Sequence, residues 1–294
     1  MSTAGTIAIN QSEIIYAPGT SDAEIEAAAI AASRRHRLLV LAWRLGILAA
    51  LLSLWEGAAR SGVIDAFFYS YPTAIAARLC ELIVEGTDEA SLWYHLWLTM
   101  EEAIIGFFTG SALGIVCGVA LGRNKLAADI FAPYIKTLNA IPRVVLAPIF
   151  ILLLGFGLWS KVALAFVMVF FVVFSNAFQG VREADRAMIA NAQILGAKPW
   201  AVTTAVIIPS AMSWIFASLH ISFSFAIVGA IVGEFVGARY GIGFLIQEAR
   251  GVHDTAAMYA AIVLIVIVVL TAEWVMTRIE NRLARWRPPP TQGH

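Results

Sequence analysis

The sequence is poor in charge and in cysteine. Charged residues make up 14% of its 294 residues and the formal net charge is zero, so the overall balance argues against a nucleic-acid partner. The two cysteines, Cys80 and Cys117, have a spacing that provides neither a disulfide framework nor a metal site. We therefore interpret both as packing residues and expect no metal site.

The common catalytic motifs are also missing. Because no GxxxxGK[ST] loop occurs, the chain lacks the usual cradle for nucleotide phosphates and must take energy for any work from another polypeptide. No HExxH, GxSxG or CxxC pattern occurs, and the histidines are scattered singly. An intramembrane protease or metal enzyme is therefore disfavoured, and we expect a chain that is not an enzyme and holds no cofactor.

Hydrophobic residues are abundant instead. They make up 60% of the chain, and the mean hydropathy is +0.79, values typical of a membrane protein. A membrane-spanning helix needs about 20 mostly apolar residues. The sequence therefore predicts an all-α membrane protein with about six transmembrane helices, at residues 38–58, 100–122, 133–155, 162–180, 211–236 and 256–277.

We divide the chain into a cytoplasmic N-terminal segment (1–37), a transmembrane domain (38–280) and a cytoplasmic tail (281–294). The first 37 residues are of mixed polarity and lack the short apolar core and cleavage site of a secretory signal, so the first span should stay attached. A helix that starts near Pro72 is too polar to span the membrane.

The distribution of Lys and Arg predicts the orientation, because positive residues collect on the cytoplasmic side. With both termini inside, five fall in outer segments: Arg60, Arg78, Lys161, Arg239 and Arg250. Twelve fall in inner segments: Arg34, Arg35, Arg37, Arg123, Lys125, Arg182, Arg186, Lys198, Arg278, Arg282, Arg285 and Arg287. Both termini and residues 181–209 are therefore expected in the cytoplasm.

A polar island between two spans, residues 183–209, reads EADRAMIANAQILGAKPWAVTTAVIIP. An amphipathic run ends at Gly196, a residue type that readily adopts the left-handed conformation that closes a helix. Pro199 follows where a second helix can begin, because proline has a preset φ and no N–H to leave unbonded. The segment predicts a helix, a sharp turn and a second helix at the membrane surface.

This island resembles the cytoplasmic loop of binding-protein-dependent ABC importer permeases. It keeps the family's Gly-Ala pair and the apolar-apolar-Pro ending thirteen residues after the glycine, but has Ala190 and Asn191 where the family usually has Glu and Ala. In that family the loop docks into a groove on the ATP-binding subunit. The resemblance thus implies a coupling role for Ala192, Gly196, Ala197, Lys198, Pro199, Trp200 and Pro209.

A wider resemblance, over about residues 95–280, includes AIPRVVLAPIFILLLGFG and FSNAFQGVREAD. These segments are similar to the nitrate, sulfonate and taurine branch of these permeases. The resemblance implies a type I, MetI-like bundle in the bacterial inner membrane, usually present in two copies, which favours a homodimer. It also implies two separate ATP-binding subunits, which bind ATP and Mg, and a periplasmic solute-binding protein.

Polar residues within two spans are candidates for a translocation path. In the third span Asn139 and Arg143 share one helix face, and in the fifth His220 and Ser224 do. A lining formed by these faces would suit a small anion, because a guanidinium offers a bidentate fork. Alternatively, Arg143 pairs with Glu101 or Glu102 or with loop carbonyls, while His220 and the serines make ordinary interhelical hydrogen bonds.

Glycines recur every four residues in two spans. Small residues let helix backbones approach closely in lipid, where packing drives association. These faces either let helices tilt against each other during transport or serve static packing or dimerisation. The second span contains Gly106, Gly110, Gly114, Gly118 and Gly122, and the fifth region contains Gly229, Gly233, Gly237 and Gly241.

Two other function classes compete with the permease. An ion-driven secondary carrier or a channel would show inverted repeats or acidic residues in the middle of a span, and neither is clear. An enzyme or scaffold acting on lipids would need a convergent set of catalytic residues at the interface. The favoured substrate is a small anion such as a sulfonate, nitrate or taurine, although similar permeases serve neutral or cationic vitamin precursors.

Overall fold

The computed structural model describes residues 22–87 and 90–283, and the chain divides into two compact units, residues 1–63 and 64–294. The first unit contains one long helix, α1 (Asp22–Arg60), whose membrane-compatible part is Ser33–Arg60. The polar approach and the first predicted span therefore form one continuous helix. The predictions for residues 1–21 and for the end of the tail, 284–294, lie outside the described residues.

The second unit is helical throughout its described part. It begins with α2 (Ala66–Tyr69) and α3 (Pro72–Val84), and α3 starts where Pro72 was predicted to start a helix. Five helices of the described chain are long and apolar enough to cross a membrane, or up to six if a bent pair is one span. The remaining elements are α4 (Leu92–Gly122), α5 (Lys125–Ala140), a 3-10 turn (Arg143–Leu146), α6 (Ala147–Leu154), α7 (Leu158–Arg182), α8 (Arg186–Ile194), α9 (Pro199–Val202), a π-helical turn (Thr203–Ile207), α10 (Ile208–Gly237), α11 (Ile242–Gly251) and α12 (Thr255–Leu283).

Helices α4, α7 and α10 form the centre of this unit. Their backbones come into contact where the glycines recur: a Cβ built on Gly106 would lie 2.5 Å from the Cβ of Ala165, and one on Gly229 would lie 2.7 Å from the Cα of Ala165. Gly106 on α4 and Gly229 on α10 therefore both pack against α7 at Ala165. The same α4 face continues through Gly110, Gly114, Gly118 and Gly122, and the α10 face continues through Gly233 and Gly237, where Gly237 meets Ile151 and Phe156.

The third predicted span, 133–155, corresponds to a bent pair of helices that counts as one broken span. Helix α5 begins earlier, at Lys125, and the segment from Arg143 to Leu154 is bent by 79° relative to α5. The break falls at Ile141, which is extended (φ −71°, ψ 125°). Pro142 explains this conformation, because the residue before a proline is driven out of the α region.

Candidate coupling and translocation sites

The polar island folds into the helix, turn and second helix that its sequence predicts. The side chain of Asp185 accepts a hydrogen bond from the amide of Ala187 (2.7 Å) and so caps α8. Gly196 has a φ of +82° and ends the helix, with the amide of Ala197 donating to the carbonyl of Ala192 (3.0 Å). Pro199 is the first residue of α9. A positive φ at Gly196 favours glycine there.

The turn presents apolar side chains to the outside. Leu195 is 86% exposed, Ile194 is 83% exposed and Trp200 is 68% exposed, although all three lie on a short polar segment between spans. Nothing lies within 4 Å of a Cβ built on Gly196. Clustered exposed apolar groups of this kind mark a surface that another molecule covers.

The turn connects directly to the central helix α10. After α9 the backbone passes through the π-helical turn and continues into α10 at Ile208. Pro209 has no N–H to donate to a carbonyl of the preceding turn. This missing hydrogen bond accounts for the local change from the α-helical to the π-helical hydrogen-bond pattern. The turn and α10 therefore lie on one continuous helical path.

The two candidate path residues of the third span contact each other. Nη2 of Arg143 donates to Oδ1 of Asn139 (2.8 Å), and Nδ2 of Asn139 donates to Oγ of Ser175 on α7 (2.7 Å). The guanidinium also lies 5.3 Å from the ring centroid of Phe171. Within the described part of the chain, Nε of Arg143 is buried and has no hydrogen-bond partner. Arg143 therefore pairs with an amide rather than with Glu101 or Glu102.

The two candidates of the fifth span bind a different partner. Nε2 of His220 lies 3.1 Å from Oε2 of Glu273, and Oγ of Ser224 donates to Oε1 of the same carboxylate (2.6 Å). These contacts join α10 to α12, and they are the ordinary interhelical hydrogen bonds that were the alternative interpretation of His220 and Ser224. The structure therefore brings Arg143 together with Asn139, and His220 together with Ser224. The first pair contacts Ser175 and the second pair contacts Glu273, so the two pairs have different partners.

Sequence reasoning missed a buried polar cluster at the far end of α10. Glu234 is fully buried, and Glu102, Lys161, Thr99 and His95 are buried as well. The available signal was the position of ionisable residues within apolar spans, where they are costly and invite a functional hypothesis. Among the described residues, no group of three or more His, Cys, Asp or Glu side chains is arranged to hold a metal ion.

Known relatives resemble the chain over most of their lengths. SsuC of Bacillus subtilis (strain 168), whose name assigns it to aliphatic sulfonates, is 30% identical over 247 residues, which cover 83% of this chain and 88% of SsuC. The riboflavin transport system permease protein RibX of Chloroflexus aurantiacus is 31% identical and covers 80% and 87%. The taurine transport system permease protein TauC of Escherichia coli (strain K12) is 28% identical and covers 82% and 88%.

Solved structures share the fold. A chain of the MetNI methionine ABC transporter, in an inward-facing conformation, superposes with a TM-score of 0.58 at 20% identity and covers 66% of this chain and 96% of its own. An amino acid ABC transporter with histidines gives a TM-score of 0.54 at 14% identity, covering 72% and 97%. The fold is therefore the MetI-type helical bundle that the sequence predicted.

The bundle and its surface helix-turn-helix define a multi-pass transport permease. The chain belongs to the family described as binding-protein-dependent transport system inner membrane component, whose sequence model matches residues 110–285. It is the inner-membrane permease component of an ABC importer, and the predicted resemblance to the sulfonate and taurine permeases is confirmed.

Proposed function

We propose that the chain provides the translocation path for a small anion. ATP hydrolysis by a separate subunit would drive transport, and residues 183–209 would couple that subunit to this chain. The assembly would contain two copies of this chain and two ATP-binding subunits, which bind the ATP and Mg, and a periplasmic solute-binding protein would deliver the solute. Both termini would be cytoplasmic. The chain itself would have no enzymatic activity and bind no cofactor.

The observation that carries the coupling role is the exposed apolar turn at the end of α8. Leu195 and Trp200 are largely exposed on a polar segment, and exposed apolar groups of this kind are covered by a partner protein or by the membrane interface. Gly196 leaves open space beside them, so a partner surface can approach the backbone. Lys198 and Ala197 flank this space, while Ala192 and Pro209 bound the element on either side.

Substitution of Gly196 tests the coupling role, with Gly155 as a matched control. Both glycines have a positive φ (+82° and +79°), and nothing lies within 4 Å of a Cβ at either position. Gly196→Val and Gly155→Val therefore each place a side chain on a residue with a positive φ, without an internal clash, and Gly155, with a ψ of −176°, is the more demanding backbone position. We expect the purified permease to lose its co-purifying ATPase subunit in Gly196→Val and to keep it in Gly155→Val. Retention of the ATPase subunit by both variants would contradict the proposal.

An anionic substrate is supported by the surroundings of Arg143. Its guanidinium lies near a break between helices, one of its nitrogens has no hydrogen-bond partner in the described chain, and Asn139 and Ser175 add polar groups beside it. The names of two relatives, for aliphatic sulfonates and taurine, fit this chemistry, whereas riboflavin does not.

Uptake by Arg143→Lys and Arg143→Ala tests the path role. Lysine keeps the charge but not the fork, so we expect reduced anion uptake in Arg143→Lys and loss in Arg143→Ala, with the ATPase subunit still bound. His220→Ala serves as a comparison within the second candidate pair. Unchanged uptake and unchanged apparent affinity in Arg143→Ala would remove Arg143 from the path and leave the coupling proposal intact.

A further inference from the structure

The N-terminus of α11 is capped by side chains that belong to other helices. The amides of residues 241–243 donate in turn to Nδ1 of His95 (3.0 Å), Oγ1 of Thr99 (3.0 Å) and Oε2 of Glu234 (2.8 Å). The first amides of a helix have no partner within the helix. Here α4 and α10 supply all three acceptors, so α11 depends on them for its orientation.

The three capping groups are linked to each other and shielded from the surroundings. Oγ1 of Thr99 donates to Oε1 of Glu234 (2.6 Å) while it accepts from the amide of Ile242. His95, Thr99 and Glu234 are each 0% exposed. A carboxylate that accepts two hydrogen bonds in a buried setting forms strong, geometrically specific contacts. None of the three side chains can therefore touch a solute or an external protein.

The turn before α11 is shaped to fit this cap. Gly241 has a φ of +111°, and a Cβ on it would lie 2.1 Å from Oε1 of Glu234. A Cβ on Gly243 would lie 2.3 Å from the carbonyl oxygen of Ile231. Because both positions exclude a side chain, the backbone can rest directly on the carboxylate.

Two further ionisable side chains, Lys161 on α7 and Glu102 on α4, are buried near the same cap. Lys161 on α7 donates to the carbonyl oxygens of Phe156 and Gly157, and its ammonium interacts with the carboxyl groups of Glu102 and Glu234. Glu102 on α4 is buried near Glu234, and its Oε2 has no hydrogen-bond partner within the described part of the chain. Helices α4, α7, α10 and α11 thus meet in one buried polar cluster.

The cluster lies at the opposite end of α10 from the coupling turn. Helix α10 has 30 residues, which correspond to about 45 Å at 1.5 Å per residue. If the coupling turn faces the cytoplasm, as the proposed function requires, α11 lies at the outer side. There Gln247, Glu248 and Arg250 form its exposed polar face. Helices α3 and α11 also line a cavity of about 330 Å³.

We propose that Glu234, Thr99 and His95 are positioning residues for transport: by capping α11 from within the bundle, they hold its outward polar face in the orientation that receives the solute-binding protein. This inference rests on the proposed function, which supplies the orientation and the partner. The three residues act through α11 and do not contact the partner.

The test compares Thr99→Val with Thr99→Ser in the complete transporter. Valine keeps the shape of threonine without the hydroxyl, whereas serine keeps the hydroxyl. Each variant is reconstituted in proteoliposomes with its ATPase subunits, and ATP hydrolysis is measured against the concentration of solute-loaded binding protein. We expect the half-maximal concentration to rise about ten-fold in Thr99→Val, the effect of losing one buried hydrogen bond to a charged group, and to stay near wild type in Thr99→Ser.

ATP hydrolysis without binding protein should be unchanged in both variants. An unchanged half-maximal concentration in Thr99→Val would overturn the inference. If instead the wild-type permease binds no ATPase subunit, the proposed function fails, and that result is seen before any variant is compared. Should Thr99→Val not assemble, Glu234→Gln replaces it, because glutamine keeps the size of the side chain but cannot accept from both donors.

A covalent bridge provides a second measurement. The rings of Tyr94 on α4 and Tyr240 in the turn have centroids 5.3 Å apart. In a background with Cys80→Ser and Cys117→Ser, a thiol crosslinker whose length is matched to the Cβ–Cβ distance of the two positions joins Tyr94→Cys to Tyr240→Cys. The reference is the bridged transporter that retains Thr99. We expect the bridged Thr99→Val transporter to reach the same half-maximal concentration of binding protein as this reference. A bridged, assembled Thr99→Val transporter that remains as defective as the unbridged one would contradict a positioning role.

Discussion

The two ends of α10 use glycine in opposite ways. At the coupling end, Gly196 is required by its φ of +82°, and the space beside it is open. At the other end, Gly243 has no unusual φ, but a Cβ there would lie 2.3 Å from a backbone oxygen. The first glycine shapes a surface for a partner, whereas the second allows helices of the same chain to pack. Substitutions at the two ends should therefore separate assembly with partners from stability.

The largest loss of stability is expected for Lys161→Met. The substitution removes the ammonium that donates to the carbonyl oxygens of Phe156 and Gly157, and it leaves Glu102 and Glu234 buried without a nearby cation. Removing one partner of a buried charge set costs about 3–5 kcal/mol in free energy of unfolding. Thermal unfolding of the detergent-solubilised permease would measure this loss.

The exposed lysine of the coupling turn is the control for this experiment. Lys198→Met should change stability by no more than about 0.5 kcal/mol, as is usual at the surface. Adding Glu102→Gln to Lys161→Met should recover part of the loss, because it removes one of the uncompensated carboxyl groups. Equal unfolding temperatures for Lys161→Met and Lys198→Met would show that the buried ammonium of Lys161 does not stabilise the cluster.

Asparagine at Gly243 and at Gly196 sharpens the comparison of the two ends. Asparagine tolerates a positive φ and has room at Gly196, so Gly196→Asn should be nearly neutral for stability. At Gly243 the obstacle is space, and overpacking costs about 1–3 kcal/mol. Unfolding curves of the two variants would show the difference. If Gly243→Asn is as stable as wild type, the turn before α11 is not tightly packed.

A smaller effect is expected for the ion pair near the coupling end. Nη2 of Arg182 lies 3.3 Å from Oδ1 of Asp129, and the two side chains are 39% and 52% exposed. Exposed pairs of this kind contribute about 0.2–1 kcal/mol. Arg182→Gln should therefore lower stability slightly, and the difference from wild type should shrink at high salt because exposed charges are screened. A large, salt-independent loss would mean that the contact of the guanidinium with the ring of Phe178 (5.6 Å to the centroid) contributes more than the ion pair.

The sequence predicted those parts of the molecule that depend on neighbouring residues. Glycine and proline chemistry was sufficient for the turn at Gly196 and the start of α9 at Pro199. Apolar runs were sufficient to locate most spans, although Pro142 breaks the third one more sharply than its hydropathy suggests. In each case the cause lies within a few residues of its effect.

The outer cluster could not be predicted in this way. Thr99 contacts Glu234 across 135 positions of sequence, and His95 contacts Gly241 across 146. Only the packing of α4 against α7 and α10 brings these groups together. Glu234 lies near the end of an apolar run, but the residues around it contain no local sign of what its carboxyl group binds.

The smallest effect on stability, and the clearest effect on a partner, is expected for Leu195→Asp. Leu195 is 86% exposed, so a charge there loses little packing and should change stability by no more than about 0.5 kcal/mol. If an ATPase groove covers this side chain, however, the aspartate would be buried in an apolar contact and the ATPase subunit would be lost from the purified complex. Val252→Asp is the matched control, because Val252 is also well exposed but follows α11 at the other end of the bundle. Loss of the ATPase subunit from Leu195→Asp alone would assign ATPase binding to the coupling end, whereas equal loss from both variants would show a general defect of assembly.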